Sequence, residues 1–158
     1  MLPARILAWY PKAAVGSGVL EALVAHEDGK MNKRMLKLIR MTASFAAGCP
    51  FCIDMNSFEY QKCGISDEEA EALRLQADPE AIPTFSERER TAILYTRLIS
   101  QTPLAFPRDV LEHVKSVFSE REMVILASTA AQVNYWARLI PALGIPPAGF
   151  TAECKIEP

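Results

Sequence analysis

Met31-Asn32-Lys33-Arg34-Met35-Leu36-Lys37-Leu38-Ile39-Arg40-Met41-Thr42-Ala43-Ser44-Phe45-Ala46-Ala47-Gly48-Cys49-Pro50-Phe51-Cys52 is the stretch on which the fold turns. Leu36, Ile39 and Ala43 recur at helical spacing, with Met35, Leu38 and Thr42 beside them, so a helix is expected from about Asn32 to Ala47. Gly48 stops it, because a glycine after the last periodic residue readily takes the left-handed backbone that ends a helix. Pro50 suits a first helical turn, so the next helix opens at Cys49 or Pro50 and runs to about Cys63, before Gly64. The two cysteines therefore sit three residues apart at the start of a helix, on one face of its first turn.

Working outward, helical periodicity persists along the chain. Val19, Leu20, Leu23 and Val24 predict a helix from Ser17, as N-cap, to about His26. Three capping boxes, a serine followed by a glutamate three residues on, mark further starts at Ser66/Glu69, Ser86/Glu89 and Ser119/Glu122. These open helices through Leu75, through about Ser100, and from Glu120 to about Leu139, the last broken by Pro141 and Gly144. A shorter helix is expected from Pro107 to Val117. Residues 78–84 read as a linker inside one domain, and the Pro- and Gly-rich tail as extended. No stretch reads as a strand. The expectation is an all-α helical bundle in a single domain, 1–158, with its core at about 10–143.

Composition narrows the function classes. Half of the 158 residues are apolar, and 17 basic residues nearly balance 19 acidic ones. No strong field exists to draw nucleic acid or an anionic membrane, so neither is expected as a partner. No run approaches the 18 apolar residues of a membrane span. The N-terminal segment carries Pro3 and Pro11 and lacks the unbroken apolar stretch of a signal peptide, so a mature, cytoplasmic protein is expected. Four cysteines (Cys49, Cys52, Cys63, Cys154) in a chain this long are too few for a disulfide scaffold.

The chemistry concentrates in Gly48-Cys49-Pro50-Phe51-Cys52. Amides and dipole at a helix N-terminus stabilise a thiolate, lowering a cysteine pKa from about 8.5 to roughly 3.5–7.5. A thiolate attacks peroxides and disulfides, and a second thiol one turn away resolves the sulfenic acid. With no second pair, and with His26 and His113 in unrelated segments, a four-ligand zinc site cannot be assembled.

Residues 46–57, AAGCPFCIDMNS, resemble the CxxCxxxH region of the AhpD-like and carboxymuconolactone-decarboxylase superfamily. The helix from Met31 to Ser44 is similar to the one leading into that motif. Phe85–Arg90 and Asn134–Leu139 resemble segments of a common subgroup, so the likeness runs from about Tyr10 to Leu143. It implies an AhpD-like bundle that assembles as a homo-oligomer, a trimer or hexamer. It also implies peroxidase or disulfide-exchange chemistry on a hydroperoxide, with a dithiol or protein reductant, Cys52 attacking and Cys49 resolving. No flavin, haem or nucleotide fingerprint is present, and no cofactor is expected.

Two positions depart from that pattern. The motif's histidine is Asn56, which cannot take a proton near neutral pH. The relay glutamate, twelve residues before Cys49, is Lys37. On one reading Lys37 favours the thiolate electrostatically and Asn56 orients the substrate. On another the relay is lost and with it the peroxidase. Lys33, Lys37 and Arg40 also share a helical face, which reads equally as a solvated basic stripe. A non-redox alternative is a decarboxylase-like enzyme or ligand-binding oligomer, with Lys37 or Arg40 holding a substrate carboxylate.

Other polar residues near the motif are assigned lesser roles. Asp54 is expected to point away from the pair, while Glu59 shares the face of Cys52 two turns on. His26 reads as a helix-end cation, His113 as a surface group, and Cys63 and Cys154 as spectators. Phe45, Tyr135 and Trp136 read as packing, Phe51 as a lining for the cysteines, and Trp9 and Tyr10 as subunit-boundary residues.

Overall fold

The computed structural model describes residues 2–24 and 26–150; Cys154 lies outside them. Among the described residues there are eight α-helices: α1 (Leu2–Leu7), α2 (Pro11–Leu23), α3 (Lys33–Ala46), α4 (Pro50–Ser57), α5 (Asp67–Arg74), α6 (Glu87–Ser100), α7 (Arg108–Val117) and α8 (Glu120–Ala142). No strand occurs among them, and no helix is long and apolar enough to cross a membrane.

Helix α3 lies at the centre, against α4, α5, α6 and α8. Leu38, Ile39, Met41 and Ala43 are fully buried, so successive turns of α3 feed separate clusters. Met35, Leu36 and Ile39 pack with Tyr95, Val114 and Leu126 of α6, α7 and α8. Leu38 and Met41 pack with Leu73, Phe85 and Ile93. Ala43 joins Cys49, Cys52, Val133, Ala137 and Ile140 in a third cluster, which holds the cysteine motif.

All three capping boxes form, each serine oxygen accepting the N3 amide and each glutamate reaching back to the serine amide. Two are tied to α3 by one side chain. Arg34 donates to Glu69 at 2.8 and 3.0 Å, to Glu89 at 2.6 Å, and to the Gly64 carbonyl. Burial pushes the Glu69 carboxyl up, but the Arg34 guanidinium and the Ser66 amide outweigh it and hold it below the ordinary carboxylate value.

Several helix boundaries differ from the expectation, each for a local reason. Helix α1 was not expected; Pro3 falls in its first turn, where proline costs no hydrogen bond. Helix α2 begins at Pro11 rather than Ser17. Ser17 is buried inside it, donating to the Ala13 carbonyl at 2.7 Å and sharing a 2.8 Å hydrogen bond with the Tyr135 hydroxyl. Helix α4 ends at Ser57, not Cys63: Phe58 is extended, Glu59 takes a left-handed φ of 55°, and a separate 3₁₀ turn covers Tyr60–Cys63. Helix α8 passes through Pro141 to Ala142. It ends in a Schellman motif, with Gly144 at φ 62° and the Ile145 amide donating to the Ile140 carbonyl at 3.1 Å.

Replacing Arg34 with methionine would strand two largely buried carboxylates. The expected loss is about 3 kcal/mol of unfolding free energy, the range for breaking one side of a buried pair, measured by urea denaturation. Gly48 has a φ of 61° with open space around its Cβ position, so Gly48→Ala should cost only backbone strain, about 1–2 kcal/mol in the same assay.

Candidate active site at the cysteine pair

Cys49 belongs to two helices at once. Its amide donates to the Ser44 carbonyl at 3.4 Å while Gly48 donates to Phe45 at 3.1 Å, the pair of bonds that closes the C-terminus of α3. It is also the N-cap of α4: its carbonyl accepts the Ile53 amide at 2.9 Å, and its sulfur accepts the Cys52 amide at 3.3 Å. The sulfur thus occupies the position a serine or aspartate oxygen usually takes at a helix start.

Both thiols are buried, at 1% and 3% exposure for Cys49 and Cys52. The Cys52 thiol donates to the Cys49 sulfur, and the amides of Cys52 and Phe51 add to that bond. Against the penalty of burial they lower the Cys49 pKa to about 7. The Cys52 thiol is pushed the other way, by the same hydrogen bond and by burial. Above about pH 7 the pair therefore holds a single proton between its two sulfurs, and the helix N-terminus favours the negative charge on Cys49.

Cys52 faces a cavity of about 360 Å³ enclosed by α1, α2, α3, α4 and α8. Phe51, as expected, lines it, together with Met55 and Asn56; Cys49 does not. The Asn56 amide donates to the Ser44 hydroxyl at 2.9 Å, and that hydroxyl donates to the Arg40 carbonyl at 2.8 Å. Asn56 is thereby held on the cavity wall beside Cys52, while its amide oxygen has no protein partner among the described residues.

Lys37 is not brought to the pair. Its ammonium donates to the Phe58 carbonyl at 2.7 Å, the end of α4 where the chain turns. Burial lowers its pKa, and the sulfur within its electrostatic reach is that of Cys63. It braces the turn rather than the thiolate. The basic stripe is also not simply solvated, since Lys37 and Arg40 are half-buried and only Lys33 is exposed. Glu59 is exposed and pairs with Lys62 at 2.5 Å, away from the cavity lining. Asp54 points away from Cys52, as expected, fully buried and accepting the Gly149 amide at 2.6 Å. The ring of His26 meets the Ala22 carbonyl at the end of α2, and His113 is exposed against Thr91. Among the described residues no group of histidine, cysteine and carboxylate side chains could hold a metal ion.

The sequence reading missed the polar group on the far helices. Glu21 of α2 accepts from Gln132 Nε2 at 2.7 Å and from Trp136 Nε1 at 3.1 Å, and its other oxygen lies 3.6 Å from Arg40 Nη2. All four side chains line the cavity. The available signal was a lone carboxylate in the apolar run Val19-Leu20-Glu21-Ala22-Leu23, matched by the amides Gln132 and Asn134 in the largely apolar α8.

Comparison with known proteins places the fold and the chain. The Agrobacterium tumefaciens structure described as a putative antioxidant defence protein AhpD superposes with a TM-score of 0.73 at 24% identity, covering 90% of this chain and 94% of that one. The debrominase Bmp8, solved with 2,3,4-tribromopyrrole, superposes with a TM-score of 0.80 at 18% identity, covering 94% and 77%. In sequence, the uncharacterized protein YdfG of Bacillus subtilis (strain 168) is 27% identical over 119 residues, which is 75% of this chain and 79% of that one. The model of the carboxymuconolactone decarboxylase family matches residues 17–97, slightly more than half the chain and inclusive of the cysteine motif. The chain belongs to the carboxymuconolactone decarboxylase family.

Proposed function

We propose that the protein is a thiol-dependent peroxidase or disulfide oxidoreductase in which Cys52 attacks and Cys49 serves first as base and then as resolving thiol. The observation that carries this reading is the division of labour within the pair. Cys52 faces the cavity, and Cys49 holds the charge at the N-terminus of α4.

A proton relay built on histidine and glutamate is then unnecessary. As a hydroperoxide approaches, the proton of Cys52 passes along the existing hydrogen bond to the Cys49 thiolate, an uphill transfer that proceeds only as the Cys52 sulfur begins to bond to the peroxide oxygen. The Cys52 thiolate attacks the peroxide, the O–O bond breaks, and the leaving alkoxide takes the proton from Cys49 to become an alcohol. Cys52 is now a sulfenic acid and Cys49 is again a thiolate. Cys49 attacks the Cys52 sulfur and displaces hydroxide, which solvent protonates, leaving a disulfide. The peroxide has gained two electrons and the dithiol has lost two, which an external dithiol restores. Asn56 supplies a hydrogen-bonding amide on the wall where the peroxide enters.

A homo-oligomer belongs to the same proposal. Trp9, Val15, Val19 and Leu23 of the N-terminal segment stay largely exposed on one chain, and apolar surface of this kind favours a subunit contact. The non-redox alternative, an enzyme acting on a small lactone acid, draws its support from Arg40 in the cavity wall. Activity on such an acid that survives in a Cys49→Ser, Cys52→Ser double variant would select it.

One equivalent of hydroperoxide added to reduced protein should consume two thiols rapidly, with mass spectrometry locating a Cys49–Cys52 disulfide. Reaction no faster than at Cys63 and Cys154 would overturn the peroxidase reading. Cys49→Ser should still accumulate sulfenic acid at Cys52, more slowly for want of the base, and Cys52→Ser should form none. The depressed Cys49 pKa sets the pH profile. The reactive ionisation gains population as pH rises through about 7, so the rate should climb with a midpoint near 7, well below the midpoint of about 8.5 for an ordinary cysteine.

A further inference from the structure

We infer that Arg40, set beside Gln132 and Glu21 in the wall of the Cys52 cavity, is a recognition site for a carboxylate carried by an otherwise apolar substrate. As a statement about turnover it rests on the peroxidase reading; as a statement about binding it does not. The cavity is apolar along most of its wall, with Leu7, Ala14, Val133 and Ile140 contributed by α1, α2 and α8. Such a surface suits a hydrocarbon body, and the volume lies within the usual range for small-molecule sites, roughly 300–1,000 Å³.

Arg40 interrupts that wall with an incompletely used cation. Only its Nη2 touches protein acceptors among the described residues, at 3.3 Å to Gln132 Oε1 and 3.6 Å to Glu21 Oε1. Its Nε and Nη1 donors have no protein partner among them. A guanidinium carries five N–H donors in a planar fork, and a carboxylate is the acceptor that fits two of them in parallel. Glu21 does not close that fork, because Gln132 and Trp136 both hold its other oxygen. Exposure differs in the same sense. The Glu21 side chain is 50% exposed and that of Arg40 27%, so an entering anion meets the cation in the drier part of the site. Glu21 offsets the charge of Arg40 while the cavity is empty, and the anchored Gln132 keeps the guanidinium oriented.

The test is octanoate against methyl octanoate, followed by quenching of Trp136, which lines the cavity; Trp9, 91% exposed, contributes a constant background. Octanoate should bind wild-type protein about tenfold more tightly than the ester, the size of one charge-assisted hydrogen bond. Arg40→Gln should erase that preference, leave ester binding within twofold, and so show that the cavity is intact. Arg40→Lys should restore part of the preference. Equal affinity for acid and ester in wild type, no saturable binding of octanoate, or an unchanged preference in Arg40→Gln overturns the proposal. In turnover, a hydroperoxy fatty acid should show a KM about tenfold below that of its methyl ester, and only the acid should be affected by Arg40→Gln. Acid-selective binding without peroxide consumption keeps the subsite and removes the peroxidase reading. Peroxide consumption with equal KM values does the reverse.

Discussion

Helix α3 is enclosed by neighbours along most of its length, and that enclosure dictates where its three half-buried cations must go. A charge on a nearly buried helix has to be met by an acceptor, since desolvation otherwise costs several kcal/mol. Arg34 meets the carboxylates that cap α5 and α6, and so fixes those two helices against the core. Lys37 meets the Phe58 carbonyl and fixes the end of α4. Arg40 meets Gln132 of α8 and the carboxylate of Glu21 on α2. Arg34, Lys37 and Arg40 are thus three anchors, each holding a different part of the chain to the central helix. Over Cys52, α2 and α8 are tied to each other directly, by Glu21 to Gln132 and Trp136 and by Ser17 to Tyr135, and Arg40 lies against that tie.

The second organising feature is the economy at Cys49. One residue satisfies the last carbonyls of α3 and the first amides of α4, and does so with its amide, its carbonyl and its sulfur. Local structure and chemistry are inseparable there, since the hydrogen bonds that reverse the chain are among those that stabilise the thiolate. Because α3 and α4 meet at that residue, the register of the core helix sets the direction in which Cys52 faces.

Much of this was legible in the chain. The capping boxes are short-range devices with both partners in view, and all three form as read. The helix at 33–46 and the cysteine pair at the next helix start followed from periodicity, Gly48 and Pro50. What was not legible was long-range. Lys37 occupies the spacing of a relay residue, yet the chain turn at Phe58 lies within its reach and claims it. Ser17 looked like a cap because serine favours caps, but Tyr135, 118 residues away, gives it a buried partner inside a helix that Pro11 had already started. Glu21 was invisible as a site residue for the same reason. Its meaning depends on Gln132 and Trp136, which only the fold brings to it. Pro141 read as a break, but α8 carries it as its penultimate residue, without the hydrogen bond that an N–H there would give the Ala137 carbonyl, and the Gly144 termination secures the turn beyond it.

The cap at Cys49 also bears on electron affinity. Whatever stabilises the thiolate stabilises the reduced form of the pair relative to the disulfide, because oxidation removes the negative charge from the first turn of α4. A dithiol favoured in this way has a raised reduction potential. In the proposed cycle its disulfide would yield readily to an incoming reductant and would be a stronger oxidant toward other thiols than that of an uncapped pair. The backbone reversal between two helices would then set a redox poise as well as a direction of chain travel.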